Sequence, residues 1–399
     1  MTTARRLNDA SRLPPDPMWR NDPTRRGAPP GAQVAWSRQG MKAIADMDMR
    51  RSDIDTVPRE TCRVCGRGGT VAYDRLGDRL FGAPGSWTMI RCDDPECRTH
   101  WLNPEPAAWD LPKLYDRYYT HCDANPKVHS SMPRALAKRL RQAVHDSYRH
   151  VYFGYGEGTP SVATRLLGLV PYLNQHLRAH LDFSVFYLYA KPNGRMLEIG
   201  CGGGTMLQAM QARGWRVTGL DFDQQAIDNA NLKGLNVFHG DLLDQDFALE
   251  SFDAILMSHV IEHLPDPGAT LAACRGLLAS GGSLVIVTPN VGGRLHERYG
   301  SDWRGLEPPR HLTIFSRNSL ERMCRDAGFD RVEIRTTIRD SGYLKLASQD
   351  LADGANLVDG RKIGLRRRMK AEMDGFILGW RHFLDPSRGD ELVGSCIKD

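Results

Sequence analysis

Between residues 190 and 340 two patterns alternate along the chain: short runs that are apolar throughout, and longer segments that are apolar at helical spacing. Runs of the first kind suit strands of a parallel sheet buried on both faces, and the second kind supplies the helices between them. Met196, Leu197 and Ile199 mark a first strand, and from Thr205 the period turns helical at Met206, Leu207 and Met210. Arg216–Leu220 predicts a second strand, Asn236–Leu242 a third and Ser251–Ser258 a fourth. A helix over 267–279, a Gly281-Gly282 turn and the apolar strand Leu284–Thr288 follow. Further on, helical segments over 343–383 separate the strand-like stretches Arg331–Ile338 and Glu391–Lys398. Ahead of the sheet, 133–148 and 161–190 are helical in pattern. The latter carries Leu166, Leu167, Leu169, Val170, Leu173, Leu177 and Leu181 and is interrupted by Pro171, Arg178 and Asp182. Packing over the open edge of the sheet is the expected use of these helices, with peripheral membrane contact as the alternative.

The turn after the first strand, Gly200-Cys-Gly-Gly-Gly204, lets the backbone pass where any Cβ would collide with a ligand, and it opens a helix whose N-terminus faces that ligand. The second strand ends at Asp221, where a carboxylate can accept both hydroxyl protons of a ribose. Dinucleotide sites want Gly-x-Gly-x-x-Gly, with the third glycine inside the first helical turn. Here Gly200, Gly202 and Gly204 alternate, and Gln208 and Ala209 occupy the later positions. Glu198, two positions before the first glycine, would repel a pyrophosphate but suits a ligand with a sulfonium and an ammonium group. The pattern therefore points to S-adenosylmethionine and to methyl transfer rather than hydride transfer. Asp241, ending the third strand, is placed to accept from an adenine amino group, with Phe238 and Leu242 as apolar contacts. All of these polar residues fall at carboxyl ends of strands, where open parallel sheets bind ligands.

Through the ordered motifs Glu-Ile-Gly-Cys-Gly-Gly-Gly, Leu-Asp221, Gly-Asp241 and Phe-Asp253 to His263-Leu-Pro-Asp-Pro, the chain resembles the class I S-adenosylmethionine-dependent methyltransferases. The resemblance covers roughly residues 190–340 plus a returning C-terminal strand. It implies an α/β fold, a Rossmann-like seven-stranded sheet with helices on both faces. Carried over by position, Gly200, Gly202 and Gly204 line the methionine moiety, Asp221 holds the ribose, Asp241 faces the adenine, and Ser258 with His259 borders the methyl-transfer site. Glu198, Cys201, Phe222 and Leu242 complete the candidate cofactor set.

Nine cysteines in a chain expected to be cytoplasmic argue for thiols and metal rather than disulfides. Cys62-Arg-Val-Cys65 and Cys92-Asp-Asp-Pro-Glu-Cys97, separated by a short hairpin, suit a structural tetrahedral zinc. His100 is the substitute ligand should Cys97 not reach, and buried unliganded cysteines are the competing reading. A cysteine ribbon followed by Trp101–Pro106 and Leu114–His121 is similar, more loosely, to bacterial enzymes that methylate sugars of cell-surface polysaccharides or natural products. Residues 1–50 are rich in proline and arginine and poor in apolar residues, so disorder is expected, with Met41, Met47 and Met49 as alternative starts. No segment resembles a signal peptide or reaches the length of a membrane span. The run Arg361–Lys370 suits a nucleotide-sugar phosphate, an anionic glycan or a solvated helix face. A net charge of +5 over 399 residues does not demand nucleic acid, and no Asn-Pro-Pro-Tyr run marks methylation of base amines.

A methyl sulfonium is already activated, so the protein must align the acceptor for in-line attack and help remove its proton. The candidates are His259, Glu262 and His263, just past the fourth strand, and His311. Spacing of three and four residues brings the first three to one face if a helix starts there, and a neutral histidine is a suitable base at cytosolic pH. The four also resemble the divalent-metal set of some O-methyltransferases, including quinone-biosynthesis enzymes and small-RNA 2′-O-methyltransferases, in which Glu-x-x-Glu-His is followed by a later histidine. Here His259 replaces the first glutamate, and the single carboxylate left suits zinc or iron better than magnesium; helix capping and histidine packing compete with this second metal. The expected organisation is a basic arm (1–55), a zinc-ribbon-like domain (56–125), a helical linker or acceptor cap (126–190), the methyltransferase core (191–340), a helical insertion (341–386) and a final antiparallel strand (387–399). The expected activity is O-methylation of a sugar or related small molecule. The alternatives are an S- or C-methyltransferase of similar fold, a nucleic-acid 2′-O-methyltransferase recruited by the arm, and a non-catalytic zinc scaffold retaining the cofactor pocket.

Overall fold

The computed structural model describes residues 54–115, 132–357 and 364–399. The arm expected to be disordered and the start of the basic run at 361–363 lie outside the described residues.

Short antiparallel strands open the described chain: β1 (Thr56–Val57), β2 (Gly69–Leu76), β3 (Trp87–Cys92), β4 (His100–Leu102) and β5 (Glu105–Pro106). β1 pairs with β5, while β2, β3 and β4 form an antiparallel meander. Strand alternation sends Trp87, Met89 and Leu102 into one apolar cluster and Ile90, Cys92 and Trp101 into another, so this small sheet is covered on both faces.

Helices α1 (Met132–Phe153), α2 (Val162–Leu169) and α3 (Gln175–Phe183) follow. Pro171 falls in a 3-10 turn that divides the apolar run of 161–190 into two helices, where its missing N–H and fixed φ disfavour a continuous one. Ser161 and Asn174 accept the Thr164 and Leu177 N–H groups and so cap the two pieces.

The α/β core then runs β6 (Arg195–Ile199), α4 (Thr205–Gln211), β7 (Arg216–Asp221), α5 (Gln224–Leu232), β8 (Val237–His239), β9 (Phe252–Ser258), α6 (Pro267–Leu277) and β10 (Leu278–Pro289). It continues through α7 (Arg294–Tyr299), β11 (Thr313–Ile314), α8 (Arg317–Asp326), β12 (Arg331–Thr337), α9 (Ser341–Ala352), α10 (Leu365–Leu384) and β13 (Glu391–Ile397). The seven-stranded sheet has the order β12-β13-β10-β9-β6-β7-β8, and β13 is antiparallel to both its neighbours. Leu197, Ile255 and Ile286 pack under one face and Met196, Leu256 and Val285 under the other, which is why these strands carry consecutive apolar residues. Each such buried side chain contributes about 1.5–3 kcal/mol. β6 lies between β7 and β9, so the connections leave it in opposite directions and open a crevice at its carboxyl end.

Two expectations are corrected. The third strand is shorter than 236–242 because Gly240, at φ +124°, turns the chain and Asp241 caps a 3-10 turn instead of extending the ladder. No helix starts at His259. That residue has φ +55°, Ile261–His263 forms a single 3-10 turn, and Pro265 and Pro267 delay the helix until Asp266 can cap it.

β11 leaves the α/β core and pairs antiparallel with β4, adding a fourth strand to the N-terminal meander. Close to it, the fully buried Arg310 donates twice to the Asp78 carboxylate, each at 2.9 Å, and once to Glu307 at 3.0 Å, with its guanidinium 4.2 Å above the Phe81 ring. Asp78 also accepts the backbone N–H groups of Leu80, Phe81 and Ala83. No helix among the described residues is long and apolar enough to cross a membrane. Arg310→Met leaves the buried Asp78 without its counter-charge and Glu307 with one guanidinium partner fewer, and chemical denaturation is expected to show a loss of about 3–5 kcal/mol. Adding Asp78→Asn to that variant is expected to cost less than the sum of the single changes.

Candidate active site

The crevice beyond β6 is shaped by its glycines. Gly200, Gly202 and Gly204 have φ of +73°, +50° and +74°. A Cβ on Gly200 would meet Val260 at 2.4 Å and one on Gly204 would meet Leu235 at 2.2 Å, so side chains are excluded by both conformation and space. Lys233 closes the turn by donating to the Gly203 carbonyl at 2.6 Å.

Asp221, buried at the end of β7, accepts the Gly202 N–H at 2.7 Å and the Asp223 N–H at 2.9 Å, and burial raises its pKa. Gly240 donates its N–H to the Asp221 carbonyl and His239 donates to the Phe222 carbonyl, both at 2.9 Å, which brings Asp221, Phe222 and Asp241 to one rim. Asp241 is exposed while accepting the Leu243 N–H at 2.8 Å; Leu242 and Cys201 are buried, and Ser258 is half-buried at the end of β9. Glu198 is buried among these groups, and its Oε2 finds no hydrogen-bond partner. Burial, reinforced by the Asp221 carboxylate, pushes its pKa up to about 8. An orphaned buried carboxylate beside a glycine-lined crevice fits a ligand that brings positive charge.

Past β9 the polar residues engage one another. His259 donates from Nδ1 to Glu262 at 3.2 Å and from Nε2 to Glu391 at 2.8 Å. Burial opposes a charge on the ring, yet the two carboxylates outweigh it and lift the pKa to about 10. Glu262 is fully buried and also accepts the Thr288 hydroxyl at 2.9 Å; burial works against its charge, but His259 holds its pKa down to about 2. His263 Nδ1 lies 3.0 Å from the Arg310 carbonyl and 3.0 Å from the Tyr115 hydroxyl. His311 Nδ1 lies 2.8 Å from the Gly305 carbonyl, and burial brings its pKa down to about 4. A carbonyl only accepts, so each Nδ1 carries the proton and each Nε2 presents a lone pair.

The structure thus brings Glu262, His263 and His311 together, with one potential ligand atom from each within 4.8 Å of the others, while both ring nitrogens of His259 are taken up by Glu262 and Glu391. A cleft of about 240 Å³ lies between His259, His263, Trp303, His311, Arg339 and Glu391. Four of its supports carry no spacing signal: Tyr115, whose ring also meets Phe222 edge-on at 4.7 Å, Arg310, Arg339 and Glu391. Only Glu391 offers a hint, as a charge opening an otherwise apolar strand.

The four cysteines converge. Cys62 and Cys97 have their sulfurs 3.7 Å apart, Cys65 and Cys92 3.3 Å, and all four lie within 4.8 Å of one another. A Zn–S bond of about 2.3 Å in a tetrahedron sets sulfurs about 3.8 Å apart, so the donor set fits that ion. His100 is turned away, with Nδ1 on the Arg98 carbonyl at 3.1 Å and its ring against His296.

Residues 172–334 match the family described as a methyltransferase domain. The ubiquinone biosynthesis O-methyltransferase of Aromatoleum aromaticum is 32% identical over 153 residues, which cover 35% of this chain and 65% of that protein. Its namesake from Saccharophagus degradans is 36% identical over 103 residues, 24% of this chain and 44% of that one. The chain therefore spans between about half and two thirds of the length of these relatives. The protein of the same name from Cereibacter sphaeroides is 32% identical over 174 residues, 41% of this chain and 70% of its own length. Among solved structures, a Thermotoga maritima S-adenosylmethionine-dependent methyltransferase, described as a possible histamine N-methyltransferase, is 15% identical with a TM-score of 0.38, over 72% of this chain and all of that one. With the glycine turn, Asp221 and Asp241 inside the matched segment and the seven-stranded sheet beneath them, the chain belongs to the class I S-adenosylmethionine-dependent methyltransferase family.

Proposed function

We propose that the protein transfers a methyl group from S-adenosylmethionine to a hydroxyl oxygen of a sugar or related small molecule. The observation that carries this reading is His263, which lines the cleft past β9 with its Nδ1 proton committed to a carbonyl and its Nε2 able to accept. The names of the relatives, all ubiquinone biosynthesis O-methyltransferases, support a small-molecule hydroxyl as acceptor. When bound, the cofactor supplies a methyl group already activated on a sulfonium. The chain's own residues then do the rest. The glycine turn gives the methionine end room, Asp221 holds the ribose, Asp241 and Phe222 border the adenine, and Glu198 becomes the counter-charge. His259 is protonated at neutral pH and acts as a fixed positive donor between Glu262 and Glu391. His263 takes the acceptor proton through Nε2 and is oriented by Arg310 and Tyr115. Glu391 Oε2 is buried without a hydrogen-bond partner at the wall of the same cleft, which suits a second hydroxyl of a polyol.

A second reading, a divalent ion on Glu262, His263 and His311, is favoured by the closeness of that trio. Against it, both Glu262 oxygens already accept from His259 and Thr288. We further propose that Cys62, Cys65, Cys92 and Cys97 hold a structural zinc, with all four positions filled and none left for chemistry. The eight cysteines among the described residues form no disulfide with one another, in keeping with the cytoplasmic setting we propose.

Calorimetric titration tests the cofactor: S-adenosylmethionine and S-adenosylhomocysteine are expected to bind and NADH is not, and NADH binding would sink the reading. Asp221→Ala, checked for fold by circular dichroism, is expected to weaken binding about 10- to 100-fold, the equivalent of about 1.5–3 kcal/mol for bonds to a charged group. Glu198 is neutral below about pH 8 in the free protein, and a cation favours its charged form, so binding releases a proton. Affinity for S-adenosylmethionine should therefore rise from about pH 6.5 to 8.5, and Glu198→Gln should flatten that rise. His263→Ala is expected to lower kcat about 10²- to 10⁴-fold with cofactor affinity unchanged. Activity that survives exhaustive chelation, with the cysteine-bound zinc retained, would exclude the second metal, whereas loss reversed by added metal would replace the base reading. Elemental analysis of protein purified without chelator is expected to give one zinc per chain, and finding none would remove the cysteine site.

A further inference from the structure

Helix α10 uses one face for packing and leaves the opposite face outside. Ala371, Gly375 and Gly379 recur four residues apart on the inner face, where a Cβ on Gly375 would meet the His176 ring of α3 at 2.8 Å. Gly342 of α9 approaches so closely that a Cβ there would come within 2.0 Å of the Ala371 carbonyl. The inner contacts are thus complete to the backbone, and no larger residue fits them.

The outer face is apolar from end to end. At 3.6 residues per turn, Leu365, Met369, Met373, Phe376, Trp380 and Phe383 fall within a sector of about 80°. They are 39% to 75% exposed. Six large apolar side chains in one solvent-facing row form a patch that a folded chain ordinarily covers. Exposed Arg366, Lys370 and Arg381 form a basic border on one side, while on the other Glu372, the one exposed acid within the helix, lies nearer the stripe than Arg368.

We propose that α10 is an interfacial membrane helix, which lies flat with its apolar stripe in the headgroup boundary of an anionic bilayer. The charge of the rim selects this occupant. A second copy of the chain docked antiparallel about a two-fold axis would bring this basic border against itself, whereas anionic headgroups complement it. The aromatic rings of Phe376, Trp380 and Phe383 suit the polar-apolar boundary, and Arg and Lys beside such a stripe reach headgroups while their stems stay apolar. The stripe belongs to the helix that packs against α9 and α3, so docking does not require unfolding of the sheet.

Co-sedimentation of the full chain with vesicles of phosphatidylcholine, alone or with about one third phosphatidylglycerol, tests the assignment. Binding is expected to be at least about tenfold stronger to the anionic vesicles and to weaken with salt. The double variant Met373→Glu/Trp380→Glu, which alters exposed positions and should keep its circular dichroism and cofactor binding, is expected to stay in the supernatant. Arg366→Glu/Arg368→Glu should lower binding about tenfold or more. Absence of vesicle binding by the unaltered chain, or undiminished binding by Met373→Glu/Trp380→Glu, would overturn the proposal. So would a concentration-dependent dimer in sedimentation velocity that this variant dissociates without any vesicle binding, an outcome that assigns the stripe to a second copy.

Discussion

A guanidinium removed from water is costly unless every donor finds a partner, and the cleft of this protein is organised around one that does. Arg310 is held by Asp78 from the N-terminal meander, by Glu307 from its own segment and by the Leu114 carbonyl. Its side chain therefore joins three stretches of chain. Its backbone carbonyl faces the other way and receives His263. One residue thus anchors the cleft wall through its charge and orients the candidate base through its main chain. Such a pair adds less net stability than apolar packing would, but it specifies one geometry, because any displacement strands buried charges.

The two halves of the site have opposite electrostatic character. On the cofactor side, Glu198 and Asp221 sit close together with few counter-charges, and burial pushes both toward the neutral form. On the acceptor side, Glu262 and Glu391 remain ionised because His259 and Arg339 stand beside them. A cationic ligand would therefore meet, in Glu198, a carboxyl group poised to ionise, and a neutral hydroxyl would meet a network whose charges are already balanced. The division follows from strand position: Glu198 is inside β6, while Glu391 begins β13 at the rim.

The sheet was legible because its strands are buried on both faces and leave long apolar runs, as in Ala254–Met257 and Leu284–Val287. The glycine turn and Asp221 were legible as positions because turns fall at fixed strand ends in this fold, whereas Asp241 lies past the end of β8 on a 3-10 turn. The cysteine cluster was legible because two close pairs bring their own turns. What stayed hidden depends on long-range contact. Tyr115 meets His263 across 148 positions, Glu391 meets His259 across 132 and Arg310 meets Asp78 across 232, and no local pattern encodes those pairings. His259, Glu262 and His263 have helical spacing, but the prolines at 265 and 267 move the helix start past them. In α10 the period was readable while the outward face was not, since both faces carry small or apolar residues.

β11 belongs to the catalytic half by sequence and to the cysteine-bearing sheet by hydrogen bonding. The N-terminal segment is consequently not an interchangeable module. Its edge strand arrives more than two hundred residues after β4, so during synthesis that sheet stays one strand short until most of the catalytic half has been made. A transplant of residues 54–115 onto another member of the family would carry an open edge with it, unless the recipient's own loop offered a matching pair of residues at the positions of Thr313 and Ile314. Inheritance of the two parts is therefore coupled: changes in the meander and changes in the loop that lines the cleft must remain compatible.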